Sequence, residues 1–151
     1  MAYTADITIK SPDQQTIALV EVFNVGNLDL VTATAIRRNL IDLFALPTTP
    51  YLLIVSQEYG YLWNHGDCDV IPVEPTEMFS MEPVMARFAS DHPPGVRMQA
   101  GIFDYVVVQW LSHLAWSHHT NGEYTRDQLP LEGSVFANAI AHSNVLMEAV
   151  I

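Results

Sequence analysis

The stretch TADITIKSPDQQTIALVEVF, residues 4–23, contains the pattern that decides the fold. Polar and apolar side chains alternate from Thr4 to Lys10, and this period of two is typical of a half-buried strand. The next five residues, SPDQQ, have the composition of a turn. Thr16 to Phe23 then reads as a second strand, because it is rich in β-branched residues.

The connection between these two strands is short, so the pair is predicted to be an antiparallel hairpin. If its centre lies near Asp13, residues whose numbers sum to about 26 or 27 face each other across the pair. Asp6 is therefore expected opposite Val20 or Glu21. The same alternation assigns one apolar face of the first strand to Ala5, Ile7 and Ile9.

A helix and two further strands are predicted to follow the hairpin. Asp29 is a suitable N-cap for a helix that runs through about Ala45, where the prolines of the next segment end it. Residues 51–56, YLLIVS, read as a buried strand, and a strand–helix–strand unit implies parallel pairing with a right-handed crossover. Tyr61-Leu62-Trp63 is a fourth strand. The predicted fold class is α/β, with a mixed central sheet of about four strands in β-β-α-β-β order.

The C-terminal half is predicted to be mostly helical. Five prolines between residues 72 and 94 leave room for one short helix around Glu82 to Ala89. A long apolar helix is expected over Val96 to His119, followed by a polar linker over Thr120 to Pro130. Leu131 to Ile151 has room for a last helix and a short strand. The length of 151 residues fits a single domain.

The order of short motifs along the first 63 residues resembles a known superfamily. Asp6, Val20-Glu21-Val22, Pro50-Tyr51 and Tyr61-Leu62-Trp63 are similar to the pattern of restriction-endonuclease-like proteins, whose signature is PD-(D/E)XK, and specifically of a group of uncharacterised bacterial members. The resemblance implies a restriction-endonuclease-like core in which Asp6 and Glu21 are the catalytic carboxylates that hold Mg²⁺.

The chain departs from that signature at the position of the catalytic lysine. Ala5 stands where the family has proline, and Phe23 stands where it has the lysine that orients and activates water. Lys10 is the only lysine in the chain, and at about 3.3 Å per residue it lies roughly 13 Å from Asp6, toward the turn. It therefore cannot take that role.

Arg37 and Arg38, on the following helix, are the remaining candidates for a migrated cation, that is, a positive side chain that replaces the missing lysine from another position in the chain. An arginine could stabilise developing negative charge, but its pKa makes it a poor base for water. The alternative is that Asp6 and Glu21 are a relict polar pair. His65-Gly66-Asp67-Cys68-Asp69 contains metal-ligand residue types without a recognised spacing, which indicates a polar loop.

The charge balance bears on function. Six basic residues against seventeen acidic ones give a net charge of -11, which argues against autonomous nucleic-acid binding. We therefore expect a nuclease-like domain with a degenerate active site that acts as a non-catalytic assembly or protein-interaction module, with no cofactor. Two alternatives stay open, a Mg²⁺-dependent endonuclease with a rearranged site and an acidic subunit of a larger nucleic-acid defence or processing complex.

Composition also leads to expectations about location and partners. A single cysteine and an N-terminus without a signal-peptide pattern predict a cytoplasmic protein that is not bound to a membrane. Half of the residues are hydrophobic, which predicts a homo-oligomer, by default a dimer, or an obligate partner. The long helix is expected to form the contact surface between chains. The residues of this helix that are expected to make the contact are Phe103, Val107, Trp110, Leu111 and Leu114.

Overall fold

The computed structural model of the chain describes residues 5–24, 26, 28–44, 49–65, 74–93, 96–116 and 129–147. Six strands and four helices occur within these ranges. Their bounds are β1 Ile7–Lys10, β2 Thr16–Val22, α1 Leu30–Phe44, β3 Tyr51–Val55, β4 Tyr59–Asn64, β5 Glu77–Ser80, α2 Glu82–Phe88, α3 Ala100–Trp116, α4 Val135–Ala139 and β6 Asn144–Met147. None of the helices in the described ranges has the length and hydrophobicity needed to cross a bilayer.

The strands form one mixed sheet in the order β5-β4-β3-β2-β1-β6. β1 and β2 are the predicted antiparallel hairpin, and β2 pairs in parallel with β3. These parts of the prediction are confirmed, and so is the α/β class. The expected number of about four strands is wrong, because β5 and β6 extend the sheet at its two edges. Both edge strands have only four residues and are mostly exposed, so neither shows a clear period of two.

The hairpin register decides which residues face each other. Ile7 lies opposite Val20 and Ile9 opposite Ala18, so the register continued by one residue brings Asp6 opposite Glu21. The prediction that Ala5 shares a face with Ile7 and Ile9 is wrong. The chain bends at Asp6, and the side chain of Ala5 packs in the apolar cluster on the other face of the sheet.

Helices cover both faces of the sheet. α1 covers one face and begins at the predicted N-cap, where the Thr32 backbone N–H donates to Asp29 Oδ1 at 2.8 Å. The buried residues of this layer are Ala5, Leu19, Leu28, Ala33, Leu52, Ile54, Tyr61 and Trp63. α2, α3 and α4 cover the opposite face and form the larger of the two hydrophobic clusters.

The apolar face of α3 is part of this larger cluster. Each of the five residues that were expected to form an intermolecular contact is at most 2% exposed. These are Phe103, Val107, Trp110, Leu111 and Leu114. That assignment of the contact surface is wrong, because the sheet itself supplies the apolar surface that buries this side of the helix. The exposed apolar residues of α3 are instead Ile102, Tyr105 and Trp116.

Candidate functional site

The two predicted acidic residues lie near the carboxyl end of β2, beside its parallel partner β3. Glu21 pairs with Ile54 on β3, and the same row of the sheet continues through Tyr61 on β4 to Met78 on β5. Crevices beyond the carboxyl ends of parallel strands are where α/β sheets commonly bind ligands. The location alone is therefore compatible with a functional site.

Asp6 caps the end of β2. Its Oδ2 accepts a hydrogen bond from the Val22 backbone N–H at 2.9 Å. Its negative charge acts on Asp104 of α3. The pKa of the Asp104 carboxyl is raised, first by burial and then by the negative charge of Asp6. The Asp6 carboxylate is thus fixed by a backbone donor, and its charge affects an acidic group in the layer that contains α3.

Glu21 lies in the opposite layer, on the face of β2 that α1 covers. Leu19 and Phe23, two residues away on either side, belong to the apolar cluster of that face. The Glu21 Oε1 atom is buried without a hydrogen-bond partner, and burial raises the pKa of this carboxyl to about 7. Neither salt bridge found in the described ranges involves Glu21.

The charge of Asp6 therefore acts on Asp104 in the α3 layer, whereas Glu21 lies among apolar side chains. A magnesium ion needs several oxygen ligands in near-octahedral geometry, usually including one or two carboxylates. Over the residues that the structure describes, no group of three or more His, Cys, Asp or Glu side chains is arranged to hold a metal ion. The Asp6 carboxyl accepts a hydrogen bond from a backbone N–H, and the Glu21 carboxyl has a buried oxygen without a partner.

Arg37, a candidate for the migrated cation, points toward the other end of the sheet. Its Nε and Nη2 atoms lie 3.3 and 3.1 Å from His65 Nε2, and its guanidinium carbon lies 5.4 Å from the centre of the Trp63 ring. Trp63 is two residues beyond Tyr61 along β4, which is roughly 7 Å from the row that contains Glu21. Arg38 is exposed on the surface of α1. The described contacts of these arginines include neither Asp6 nor Glu21.

The cluster of Arg37, His65 and Trp63 was not predicted from the sequence. Arg37 is only 4% exposed, and burial lowers its pKa. The pKa of His65 is also lowered, first by burial and then by the charge of Arg37, so its neutral ring can accept from the guanidinium. Arg37 and His65 are 28 residues apart in the chain, and no local pattern indicates that they meet.

Replacing Arg37 by methionine is expected to raise the pKa of His65 toward its ordinary value. The reason is that Arg37→Met removes the positive charge that opposes protonation of the ring, while a side chain of similar length keeps the packing. NMR titration of the histidine ring signals measures this change, and Arg38→Met is the matched control because Arg38 is exposed on the same helix. An unchanged pKa in Arg37→Met would contradict the assignment.

A polar network occupies the crevice beyond β2 and β3. Asn24 Nδ2 and Gln57 Nε2 each donate to the Met98 backbone oxygen at 3.0 Å, and the Met98 N–H donates to Gln57 Oε1 at 3.1 Å. Arg97 forms an ion pair with Glu58 beside them. These contacts tie the ends of the two parallel strands to the segment before α3. The polar groups in the crevice are used to hold the fold together.

Two open pockets flank the connection between α2 and α3, with volumes of about 440 and 330 Å³. Both are lined mainly by apolar side chains, and His92 is the titratable residue common to both. Binding sites for small molecules usually place several polar groups so that they converge on the ligand. The polar side chains that line these two pockets are few, Ser90 and His92 in both and Asp91 in the smaller one.

No protein-family model, curated protein or solved structure matches this chain. The relationship to restriction-endonuclease-like proteins therefore stays a prediction that rests on the motifs.

Proposed function

We propose that the protein is a nuclease-like domain with a degenerate active site and serves as a non-catalytic assembly or protein-interaction module. The observation that carries this proposal is the environment of Glu21. This second carboxyl of the motif has a buried oxygen without a partner, and Phe23 follows it on the same face, where the family has its lysine.

Metal-dependent cleavage of a phosphodiester requires ionised carboxylates that hold Mg²⁺ and a positive group near the attacking water. Burial of Glu21 raises its pKa to about 7 and so opposes the ionised form that a metal ligand needs. Phe23 adds an apolar side chain at the place where positive charge is required. The Asp6 carboxyl is engaged by the Val22 N–H. Each of these features favours a structural use of the relict motif.

The surface supports an interaction role. The chain carries a net charge of -11, yet Tyr105 and Trp116 on α3 and Leu146 and Met147 on β6 are each about half exposed. Large apolar side chains that stay accessible in this way mark surfaces where proteins associate. An acidic subunit of a larger complex, the alternative from the sequence, would use the same kind of surface.

One observation favours a Mg²⁺-dependent nuclease as the second candidate. A cation bound at Glu21 would supply the partner that its Oε1 atom lacks, and the positive charge would lower the pKa of the carboxyl. This candidate needs a further cation for the reaction, and neither Arg37 nor Arg38 contacts Glu21.

We expect the purified protein to cleave neither DNA nor RNA when Mg²⁺ or Mn²⁺ is added. The test incubates single-stranded and double-stranded substrates with the wild-type protein and with Glu21→Gln, prepared identically. Any cleavage that is equal in the two preparations comes from a contaminant and leaves the proposal intact. Metal-dependent cleavage that Glu21→Gln abolishes would overturn the proposal in favour of the nuclease.

A further inference from the structure

The hydrogen bonds of β2 determine which backbone N–H and C=O groups of β6 point away from the sheet, at its outer edge. The Phe23 N–H donates to Val55 O on β3 at 2.8 Å, whereas the Val22 N–H points the opposite way, toward Asp6 at the start of β1. Backbone groups of successive residues point to opposite sides of a strand. The N–H and C=O groups of Ala18 and Val20 therefore point toward β1.

The same alternation of backbone directions can be followed from β2 through β1 to the edge strand β6. Ile7 and Ile9, which lie opposite Val20 and Ala18, use their backbone groups toward β2. Thr8 and Lys10 then direct theirs toward β6, where they lie opposite Leu146 and Asn144. The N–H and C=O groups of Val145 and Met147 consequently point away from β1. Among the described residues, no strand pairs with this side of β6.

The β6 edge also lacks the features that keep exposed edges from pairing. Natural edge strands are commonly blunted by charged residues, proline or a bulge. The sequence of β6, NVLM, contains neither a charge nor a proline, and its pairing with β1 is regular. Leu146 and Met147 are 48% and 47% exposed. By contrast β5, the strand at the other edge, begins with Glu77.

A stripe of uncharged side chains on α3 lies close to the same edge. Tyr105, Val108, Ser112 and Trp116 follow one another at spacings of three or four residues, so they share one side of the helix. We call these four residues the α3 stripe. The Trp116 ring centre lies 5.6 Å from that of His142, two residues before β6. Tyr105 and Trp116 are each more than half exposed.

We propose that two copies of the chain associate through their β6 edges, antiparallel to each other, around a two-fold axis at Leu146. In this register Val145 exchanges hydrogen bonds with Met147 of the second copy, and Met147 with Val145, so all the outward backbone groups of β6 are paired. The two Leu146 residues meet as a non-hydrogen-bonded pair with Cα atoms about 4.5 Å apart. The axis is perpendicular to the sheet, so both α3 stripes lie on the same face, side by side.

The partner that pairs with the β6 edge is a second copy of the chain, because this edge is complementary to itself under a two-fold rotation. Two copies that each carry a net charge of -11 repel one another, and they approach most easily through surface without charge. The four residues of β6 and the four residues of the α3 stripe carry no charge. A stable interface usually buries about 800 Å² per partner, more than four strand residues can supply, so the α3 stripe is an essential part of the contact.

This inference rests on the proposed assembly function and names its partner. We expect the wild-type protein at micromolar concentration to have twice the 16.9 kDa mass of one chain in sedimentation or light scattering. Leu146→Lys places two positive charges at the axis, so the measured mass should fall by half while circular dichroism stays unchanged. Met78→Lys is the matched control, since Met78 is an exposed apolar residue on the opposite edge strand, and it should keep the dimer mass.

A cross-linking measurement keeps the proposal testable even if Leu146→Lys does not fold. Leu146→Cys, in a Cys68→Ser background, should form an intermolecular disulfide on mild oxidation, because cysteines at a non-hydrogen-bonded antiparallel pair are close enough to bridge. Asn144→Cys, two residues from the axis and exposed on the same strand, should not.

A wild-type monomer, or a dimer in which Leu146→Cys does not cross-link, would overturn the two-fold arrangement. These outcomes are distinct from a failure of the proposed function. Metal-dependent cleavage by a dimer whose Leu146→Cys variant cross-links would overturn the non-catalytic role and leave the interface standing. A monomer that cleaves nothing would overturn the interface alone.

Discussion

Replacing Trp110 by alanine is expected to lower the free energy of unfolding by about 3–5 kcal/mol. Trp110 has no solvent exposure, and its ring packs edge-on against Phe79 with 5.7 Å between the ring centres. Its Nε1–H donates to the Pro130 backbone oxygen at 3.2 Å. Trp110→Ala leaves a cavity between α3 and the sheet and an acceptor without its donor. The loss is a large fraction of the roughly 5–15 kcal/mol by which native proteins are stable.

Urea unfolding followed by circular dichroism measures this effect. Gln109→Ala is the control, because Gln109 is exposed on the neighbouring position of the same helix and should change stability by less than about 0.5 kcal/mol. The experiment also separates the core position of Trp110 from the intermolecular position expected from the sequence. A variant that keeps its subunit stability but halves its mass would contradict the position in the core.

Replacing Glu21 by glutamine is expected to stabilise the protein at alkaline pH, by about 1–2 kcal/mol at pH 8. Burial raises the pKa of Glu21 from 4.5 to about 7 in the folded chain. The folded state therefore holds this proton more tightly than the unfolded state does. The stabilisation is reduced by solvent, because the Glu21 side chain is only partly buried.

The direction of the pH dependence follows from the same pKa. The contribution of Glu21 to stability is most favourable below pH 4.5, falls as the pH rises from 4.5 to about 7, and is constant above that range. Glu21→Gln has no such proton, so its advantage over the wild-type protein should grow as the pH rises from 5.5 to about 7 and then level off up to pH 8.5. Thermal or urea unfolding at several pH values in this range measures the difference.

Glu77→Gln is the matched control for this experiment. Glu77 is exposed on the edge strand β5, so the substitution removes the same unit of negative charge from a chain of net charge -11 without touching a buried group. We expect the control to follow the wild-type pH dependence. An advantage of Glu21→Gln that is the same at every pH would show that the carboxyl is not buried in the way described.

The sequence by itself determined the central part of the sheet. The alternation of residues 4–23 indicated the β1–β2 hairpin, Asp29 indicated the start of α1, and the apolar run after Pro50 indicated the parallel strand β3. These signals are local, because each depends on spacing or capping within a few residues of one element. The sequence likewise singled out Asp6 and Glu21 and predicted that Asp6 lies opposite Val20 or Glu21, in agreement with the register of the hairpin continued by one residue.

The tertiary structure decided the surroundings of those two carboxyl groups. The bend at Asp6 places Ala5 in the α1 layer and brings the charge of Asp6 to Asp104, about a hundred residues further along the chain. Glu21 owes its raised pKa to burial under α1, and Arg37 meets His65 only when β4 is in place. Such contacts join distant parts of the chain, and no local spacing encodes them.

The tertiary structure also decided the edges of the sheet and the use of α3. The sequence left room for a short strand in the segment where β6 forms, but it did not indicate β5. Both strands are short and mostly exposed, and they pair with the outer sides of β1 and β4. The spacing of the apolar residues predicted the α3 helix, but it did not indicate whether a second chain or the sheet of the same chain covers them. The sheet covers that face, because helix and strands bury their apolar sides against each other within one domain.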